Sequence, residues 1–159
     1  MIKRIAAALL ALCLVLPLAA CGQGGELELN IDELGEELYS VGTFGEELYA
    51  LDESVAQGLY GTDADTRCWV RAGTGATAEE LAVFETKDAD AAAALVQKLE
   101  ARNADRIESY SSYIPEEVPK LENAVILSGG RYVVLCVAKD ASAVREAIAQ
   151  AVTMEKTCN

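Results

Sequence analysis

The first 20 residues constrain this chain most strongly, because they predict that the chain is exported and that the leader is cut away from the part that folds. Lys3 and Arg4 form a basic start, residues 5–16 are uninterruptedly apolar, and two alanines precede Cys21. This order is typical of a secretory signal peptide that ends in a small-residue cleavage site. A cysteine directly after that site predicts a lipoprotein that is cut before Cys21 and lipidated on the Cys21 thiol.

The alternative interpretation of residues 1–20 is a helix that stays in the membrane. A helix needs roughly 20 apolar residues to span the hydrocarbon core, and the apolar run here has 12. Two acyl chains, such as palmitate, would anchor the cleaved chain durably. We therefore expect the protein at the extracytoplasmic face of the cell membrane. The lipidated cysteine and a short spacer occupy residues 21–30, and a single α+β domain occupies residues 31–159.

The charge balance and the lack of histidine exclude several classes of function. The chain has 13 basic and 26 acidic residues, for a net charge of −13. A surface this acidic repels phosphate backbones, so nucleic-acid binding is not expected. Without histidine, Ser-His-Asp and Cys-His catalysis and the H-E-x-x-H zinc motif cannot occur. The sequence thus predicts no catalytic residues, no metal site and no cofactor.

Three cysteines remain once Cys13 leaves with the signal peptide and Cys21 is lipidated. Cys68 and Cys136 both fall in predicted strands, where a small buried apolar residue is the ordinary interpretation. A disulfide between these two residues stays open as the alternative. Cys158 lies next to the C-terminus, where the chain is expected to fray.

Hydrophobic periodicity predicts an α+β fold. A helical N-terminal segment is followed by two strand–strand–helix units, in the order β-β-α-β-β-α. Residues 132–138 are apolar on both faces, which predicts a central, covered strand. We expect an antiparallel sheet with the helices packed on one face. The predicted strands cover residues 66–72, 81–86, 123–127 and 131–138, and the predicted helices of these units cover residues 88–107 and the residues from 140 onward.

The N-terminal segment contains a short internal repeat. Gly-Glu-Glu-Leu-Tyr occurs at residues 35–39 and again at residues 45–49. Two short copies do not make a repeat array, which needs longer units and at least three of them. We predict two amphipathic stretches here, followed by one or two helical turns over residues 53–59.

Two loop patterns suggest ligands but lack part of the required context. Gly73 and Gly75 begin a G-x-G-x-x-A pattern that resembles a dinucleotide fingerprint. That fingerprint needs a helix whose N-terminus meets the pyrophosphate, whereas residues 81–84 predict a strand, so we predict a hairpin loop. Asp63 and Asp65 could begin a calcium loop, but its glycine and closing glutamate are missing at the required positions. We predict a solvated turn there.

The candidate ligand face lies on the first predicted strand. Arg67, Trp69 and Arg71 alternate on one side of it. Cationic side chains beside an indole can bind anionic or sugar ligands by stacking and charge-assisted hydrogen bonds. The alternative interpretation is that Trp69 packs under a helix while the arginines pair with some of the many acidic residues.

Several segments together resemble a known family, the bacterial lipoprotein domain of unknown function 4358. The Ala-Thr-Ala-Glu-Glu stretch at residues 76–80 is the most specific part. The resemblance implies an exported, membrane-tethered domain and brings no activity, cofactor or site residues. It extends over roughly residues 31–152, and the segments that carry it are residues 59–61, 75–85, 87–88, 113–118, 120–125 and 130–135.

The sequence therefore favours a lipid-anchored, non-enzymatic domain that binds a protein partner or a component of the cell envelope. The membrane is expected to be contacted through the N-terminal lipid. A receptor domain for a small solute is the alternative. An enzyme that uses carboxylates or a thiol would be a third possibility, and its thiol version would require Cys68 or Cys136 to be exposed and ionised.

Overall fold

A computed structural model describes residues 28–158 of the chain and the side-chain surroundings of residues 28–151. The predicted signal peptide, Cys21 and most of the predicted spacer lie outside these residues. No helix in the described part has the length and apolarity that crossing a membrane requires. The elements are α1 (Ile31–Val41), β1 (Tyr49–Ala50), α2 (Glu53–Tyr60), β2 (Arg67–Ala72), β3 (Glu80–Glu85), α3 (Ala89–Tyr113), a 3₁₀ turn (Pro115–Glu117), α4 (Val118–Glu122), β4 (Val125–Gly129), β5 (Tyr132–Val137) and α5 (Ser142–Cys158).

The strands form one antiparallel sheet in the order β1-β2-β3-β5-β4. The predicted α+β class and the order β-β-α-β-β-α are confirmed by this arrangement. β5 lies between β3 and β4 and is buried along its whole length, as its apolar pattern predicts. β1 is a short edge strand that the periodicity did not indicate.

Side-chain oxygens and glycine conformation define the ends of the helices. Asn30 Oδ1 accepts hydrogen bonds from the first amides of α1, and the Asp88 carboxylate accepts one from the Ala91 amide at 2.8 Å. Gly61 ends α2 in the left-handed conformation at φ 64°. α3 stops before Pro115, because the residue that precedes a proline disfavours helical geometry.

The prediction that the helices pack on one face of the sheet is wrong, because they cover both faces. α2, α3 and α4 pack on one side against alternate residues of the strands, among them Phe84 and Leu135. α1 and α5 pack on the other side, against residues such as Leu81 and Val134. Successive residues of β3 and β5 are apolar, so apolar side chains lie on both faces of these central strands. Both faces must therefore be covered by helices to shield these side chains from water.

The two copies of the Gly-Glu-Glu-Leu-Tyr repeat take different conformations. The first lies in α1. In the second copy, the amides of Gly45 and Glu46 donate to the Glu79 carboxylate, and the chain continues as β1, where Tyr49 pairs with Ala72. The second copy is therefore not helical, because its backbone binds a distant side chain and a neighbouring strand instead of forming the turns of a helix.

Candidate functional site

The predicted ligand face of Arg67, Trp69 and Arg71 lies under α1. Arg67 forms an ion pair with Asp32 at 3.2 Å, and Arg71 forms one with Glu36 at 2.9 Å, both acids belonging to α1. The Trp69 ring packs against this helix, and the Arg71 guanidinium lies over the same ring. These contacts agree with the alternative interpretation, in which the tryptophan packs under a helix and the arginines pair with acids.

Cys68 and Cys136 lie on opposite faces of the sheet and are both free. β3 separates their strands, which places the two strands roughly 10 Å apart. A disulfide requires Cα atoms within about 7 Å and side chains that point toward each other. The disulfide that the sequence left open is therefore wrong.

Burial of Cys68 and Cys136 also argues against an enzyme that uses a cysteine thiol as its nucleophile. It raises the pKa of the Cys136 thiol to about 12, and the Glu79 and Glu80 carboxylates act in the same direction. Burial raises the pKa of Cys68 as well. Because the thiolate is the reactive form, both residues are poor nucleophiles at neutral pH.

The glycine-containing loop after β2 encloses a carboxylate of the chain itself. Glu46 accepts hydrogen bonds from the Thr74 amide at 3.1 Å and from the Thr77 hydroxyl at 3.0 Å. A Cβ atom on Gly73 would contact Glu46 Oε1, so a larger residue at this position would displace the carboxylate from the loop. The loop leads into β3 and not into a helix, which agrees with the predicted hairpin loop.

Glu80, at the start of β3, is a buried carboxylate with three partners. Its side chain is 3% exposed and accepts two hydrogen bonds from Arg102, at 2.7 and 3.1 Å. Arg106 and the Tyr60 hydroxyl donate to the same carboxylate. Burial and the adjacent Glu80 charge raise the pKa of Tyr60, which keeps its hydroxyl as a donor. This cluster connects α2 and α3 to the sheet.

Glu79, the neighbouring residue, belongs to a second buried network. Lys120 Nζ lies 3.1 Å from Glu79 Oε1 and 2.8 Å from a Glu117 carboxylate oxygen. Glu117 also accepts a hydrogen bond from the Ala78 amide at 2.9 Å. Although burial acts in the opposite direction, these bonds lower the pKa of Glu117 and raise that of Lys120. Lys120 is therefore a charged link between α4 and the start of β3.

Sequence reasoning missed both networks, although a signal for the first was present. Glu80 lies on the same face of β3 as Ala82 and Phe84, because every second residue of a strand points to the same side, and these two residues face the core. On α3, Arg102 and Arg106 continue the stripe that Leu95 and Leu99 begin, at helical spacing. A carboxylate and two arginines at core-facing positions indicate a buried ion cluster, because an unpaired charge there is too unfavourable.

A cleft of about 350 Å³ opens beside Lys120, between α4, the end of β5 and the start of α5. We call it the α4–α5 cleft. Its volume falls in the range of small-ligand pockets, roughly 300–1,000 Å³. The polar side chains that line it belong to Lys120, Asn123, Lys139, Asp140, Ser142 and Arg145.

Two cations of this cleft lack an acidic partner. Lys139 and Arg145 form no ion pair with any acid among the side chains described, whereas Lys120 is held by Glu79 and Glu117. The Asp140 carboxylate accepts a hydrogen bond from the Ser142 amide at 2.9 Å. The sequence analysis did not select these residues, since Lys139 follows a strand and Arg145 lies on an exposed helical face.

The cleft lies at the opposite end of β5 from the place where the described chain begins. The described chain begins beside the N-terminal end of β5, where the Leu29 amide donates to the Tyr132 hydroxyl at 2.9 Å and Glu28 pairs with Arg131 at 2.9 Å. The cleft begins beyond the other end, at Ala138. The six residues of β5 separate the two places by roughly 17 Å.

Comparisons with known proteins match the chain to one family. The model of a domain of unknown function, DUF4358, matches residues 46–138. No curated protein and no solved structure matches. The matched segment contains both buried ion networks and Lys120, while Lys139 and Arg145 lie beyond its end. Among the side chains of residues 28–151, no group of three or more His, Cys, Asp or Glu residues could hold a metal ion.

Proposed function

The chain belongs to the DUF4358 family, a domain of unknown function, and on that premise we propose that it is a lipid-anchored, extracytoplasmic binding domain. It holds a component of the cell envelope or a partner protein without transforming it. The anchor is the lipidated Cys21, which follows the signal peptide. The first described helix starts at Ile31, so few residues separate the lipid from the folded domain.

The position of the α4–α5 cleft is the observation that carries this proposal. Residues 28 and 29 contact the start of β5, and the cleft lies beyond the end of the same strand. A lipid attached at Cys21 holds the first end near the membrane. The cleft therefore faces away from the bilayer, toward the molecules that a tethered binding domain would meet.

A receptor domain for a small solute is the second candidate, and the size of the cleft favours it. A volume of about 350 Å³ accommodates a small molecule. Both candidates use the same cleft and the same orientation, and they differ in whether the bound group is free or part of a larger envelope molecule or protein.

The anchor is tested by replacing Cys21 with alanine. We expect the wild-type chain to incorporate a labelled fatty acid and to sediment with membranes, because two acyl chains hold a protein durably. Cys21→Ala should lose the label and nearly all of the membrane-associated protein. Cys158→Ala is the matched control and should behave like the wild type. Retention of Cys21→Ala by membranes washed at high salt would contradict a lipid anchor.

The cleft is tested by placing a photo-crosslinking amino acid at Asn123 in the full chain and irradiating intact cells. We expect an adduct at this position and none at Glu100, an exposed residue of α3 outside the cleft. Ser142→Trp, which fills the cleft, should abolish the adduct at position 123. An adduct that survives Ser142→Trp, or none in either background, would contradict binding in the cleft.

A further inference from the structure

We propose that the α4–α5 cleft binds an oxyanion, a phosphate or carboxylate group, through Lys139 and Arg145. The inference rests on the proposed function and names the chemistry of its ligand. The same group could arrive as a free ion or as part of an anionic envelope polymer. The experiment below separates these two sources.

The first argument is that Lys139 and Arg145, two of the four described cations that form no ion pair, line one cleft that holds a single acidic residue. Acidic residues outnumber basic ones two to one. Most cations of this chain therefore have an acidic residue available as an ion-pair partner. Lys139 and Arg145 nevertheless have none among the described side chains, and both line one cleft. Lys87 and Lys98 also form no ion pair, but Lys98 donates to the Gly61 carbonyl, and the cleft that these two lysines line contains two acids, Asp63 and Asp88. The described cations that do pair with acids are Arg67, Arg71, Arg102, Arg106, Lys120 and Arg131.

The second argument is the placement of the two charges. Lys139 directly follows the last buried residues of β5, and Arg145 lies in the first turn of α5, where Val144 is buried beside it. Two elements anchored in the core thus bring the charges to one cleft. The planar guanidinium can bind an oxyanion through two parallel hydrogen bonds, and the ammonium adds a point charge. Both residues are exposed, so little desolvation opposes binding.

The other polar groups of the cleft have different roles. The Lys120 charge is compensated by Glu79 and Glu117, so Lys120 forms a wall of the cleft and does not attract a further anion. The Asp140 carboxylate already binds the Ser142 amide, so the oxyanion depends on side chains and not on the helix terminus. Asp140 is the one opposing charge that lines the cleft, and it limits the affinity.

The test is isothermal titration of the full chain, in non-ionic detergent, with inorganic phosphate and with acetate at constant ionic strength. We expect saturable binding that Lys139→Gln and Arg145→Gln each weaken by about three- to fivefold, the factor of an exposed ion pair. Asp140→Asn should tighten binding by a similar factor, because asparagine can still accept the hydrogen bond from the Ser142 amide but carries no charge. Lys98→Gln, which removes a lysine outside this cleft, should have no effect.

Three outcomes would overturn the inference. The first is that neither anion binds, and the second is that Lys98→Gln weakens binding as much as Lys139→Gln. The third is that Asp140→Asn leaves the affinity unchanged. If any of these occurs while the adduct at Asn123 persists, the cleft binds a group other than an oxyanion held by Lys139 and Arg145, and the proposed function stands. If the adduct is also absent, both proposals fail.

A short linear polyphosphate identifies the source of the group. Binding much tighter than that of inorganic phosphate, and weakened by the same two substitutions, supports an oxyanion on a polymer, because neighbouring phosphates raise the effective concentration. Equal binding of the two probes supports a free ion. Both results support the oxyanion chemistry and differ only in its source.

Discussion

Glu80→Gln is expected to lower the free energy of unfolding by about 3–5 kcal/mol, the range for removing one partner of a buried ion pair. Glutamine keeps the size of the side chain and can still accept a hydrogen bond from Tyr60. It leaves the guanidinium groups of Arg102 and Arg106 without their counter-ion at sites that are largely shielded from water. Domains of this size have a total stability of about 5–15 kcal/mol, so the loss should be severe.

The measurement is urea unfolding followed by far-UV circular dichroism. Glu36→Gln is the matched control, because it breaks the exposed pair with Arg71 on the surface of α1, and we expect a loss of at most about 1 kcal/mol. Adding Arg102→Met to Glu80→Gln should restore part of the stability, since it removes one uncompensated charge. Equal effects of Glu80→Gln and Glu36→Gln would show that the Glu80 cluster is not buried in solution.

Gly35→Ala is expected to destabilise the protein by about 2 kcal/mol, the opposite of what helix propensity predicts. Alanine in place of glycine normally stabilises the interior of a helix by about 1 kcal/mol. Here a Cβ atom at residue 35 would lie 2.2–2.6 Å from three atoms of the Trp69 ring, so α1 or the ring must move. Overpacking of this kind typically costs about 1–3 kcal/mol, and more where a rigid ring is opposed.

Gly58→Ala in α2 provides the control of opposite sign. No atom lies within 4 Å of the Cβ position of this exposed glycine, so we expect a gain of about 0.5–1 kcal/mol. Both variants are measured by the same urea unfolding experiment. If Gly35→Ala proved as stabilising as Gly58→Ala, the packing of α1 on Trp69 would be incorrect.

The two buried networks matter for the proposed function because they hold the elements around the cleft. Lys120, Glu79 and Glu117 join α4 to the start of β3 and to the loop at residues 45–46. The stretches at residues 76–80 and 113–118, which carry the family resemblance, supply most of these acids. The segment that matches the family model therefore contains the framework, and Lys139 and Arg145 of the cleft lie beyond its end.

The sequence by itself determined the secondary-structure order, the α+β class, the central position of β5 and the family. These features depend on local periodicity, capping and turn chemistry, which residues close in the chain display. It also held a signal against helices on one face, because residues 132–138 are apolar on both sides. The N-terminal repeat could not be interpreted locally, since the second copy binds Glu79, which lies 33–34 residues away.

Only the tertiary structure decided which charges are paired and which are free. Arg67 and Arg71 pair with acids 35 residues away on α1, so a surface that resembles a ligand face in sequence is engaged by the chain itself, although Arg67 stays exposed. Lys139 and Arg145 instead meet at a cleft whose opposite wall is α4. Long-range packing determines these partners, and a count of charges along the chain does not contain that information. The candidate site therefore depends on the fold, which brings the unpaired Lys139 and Arg145 to one cleft that is lined by a single acid.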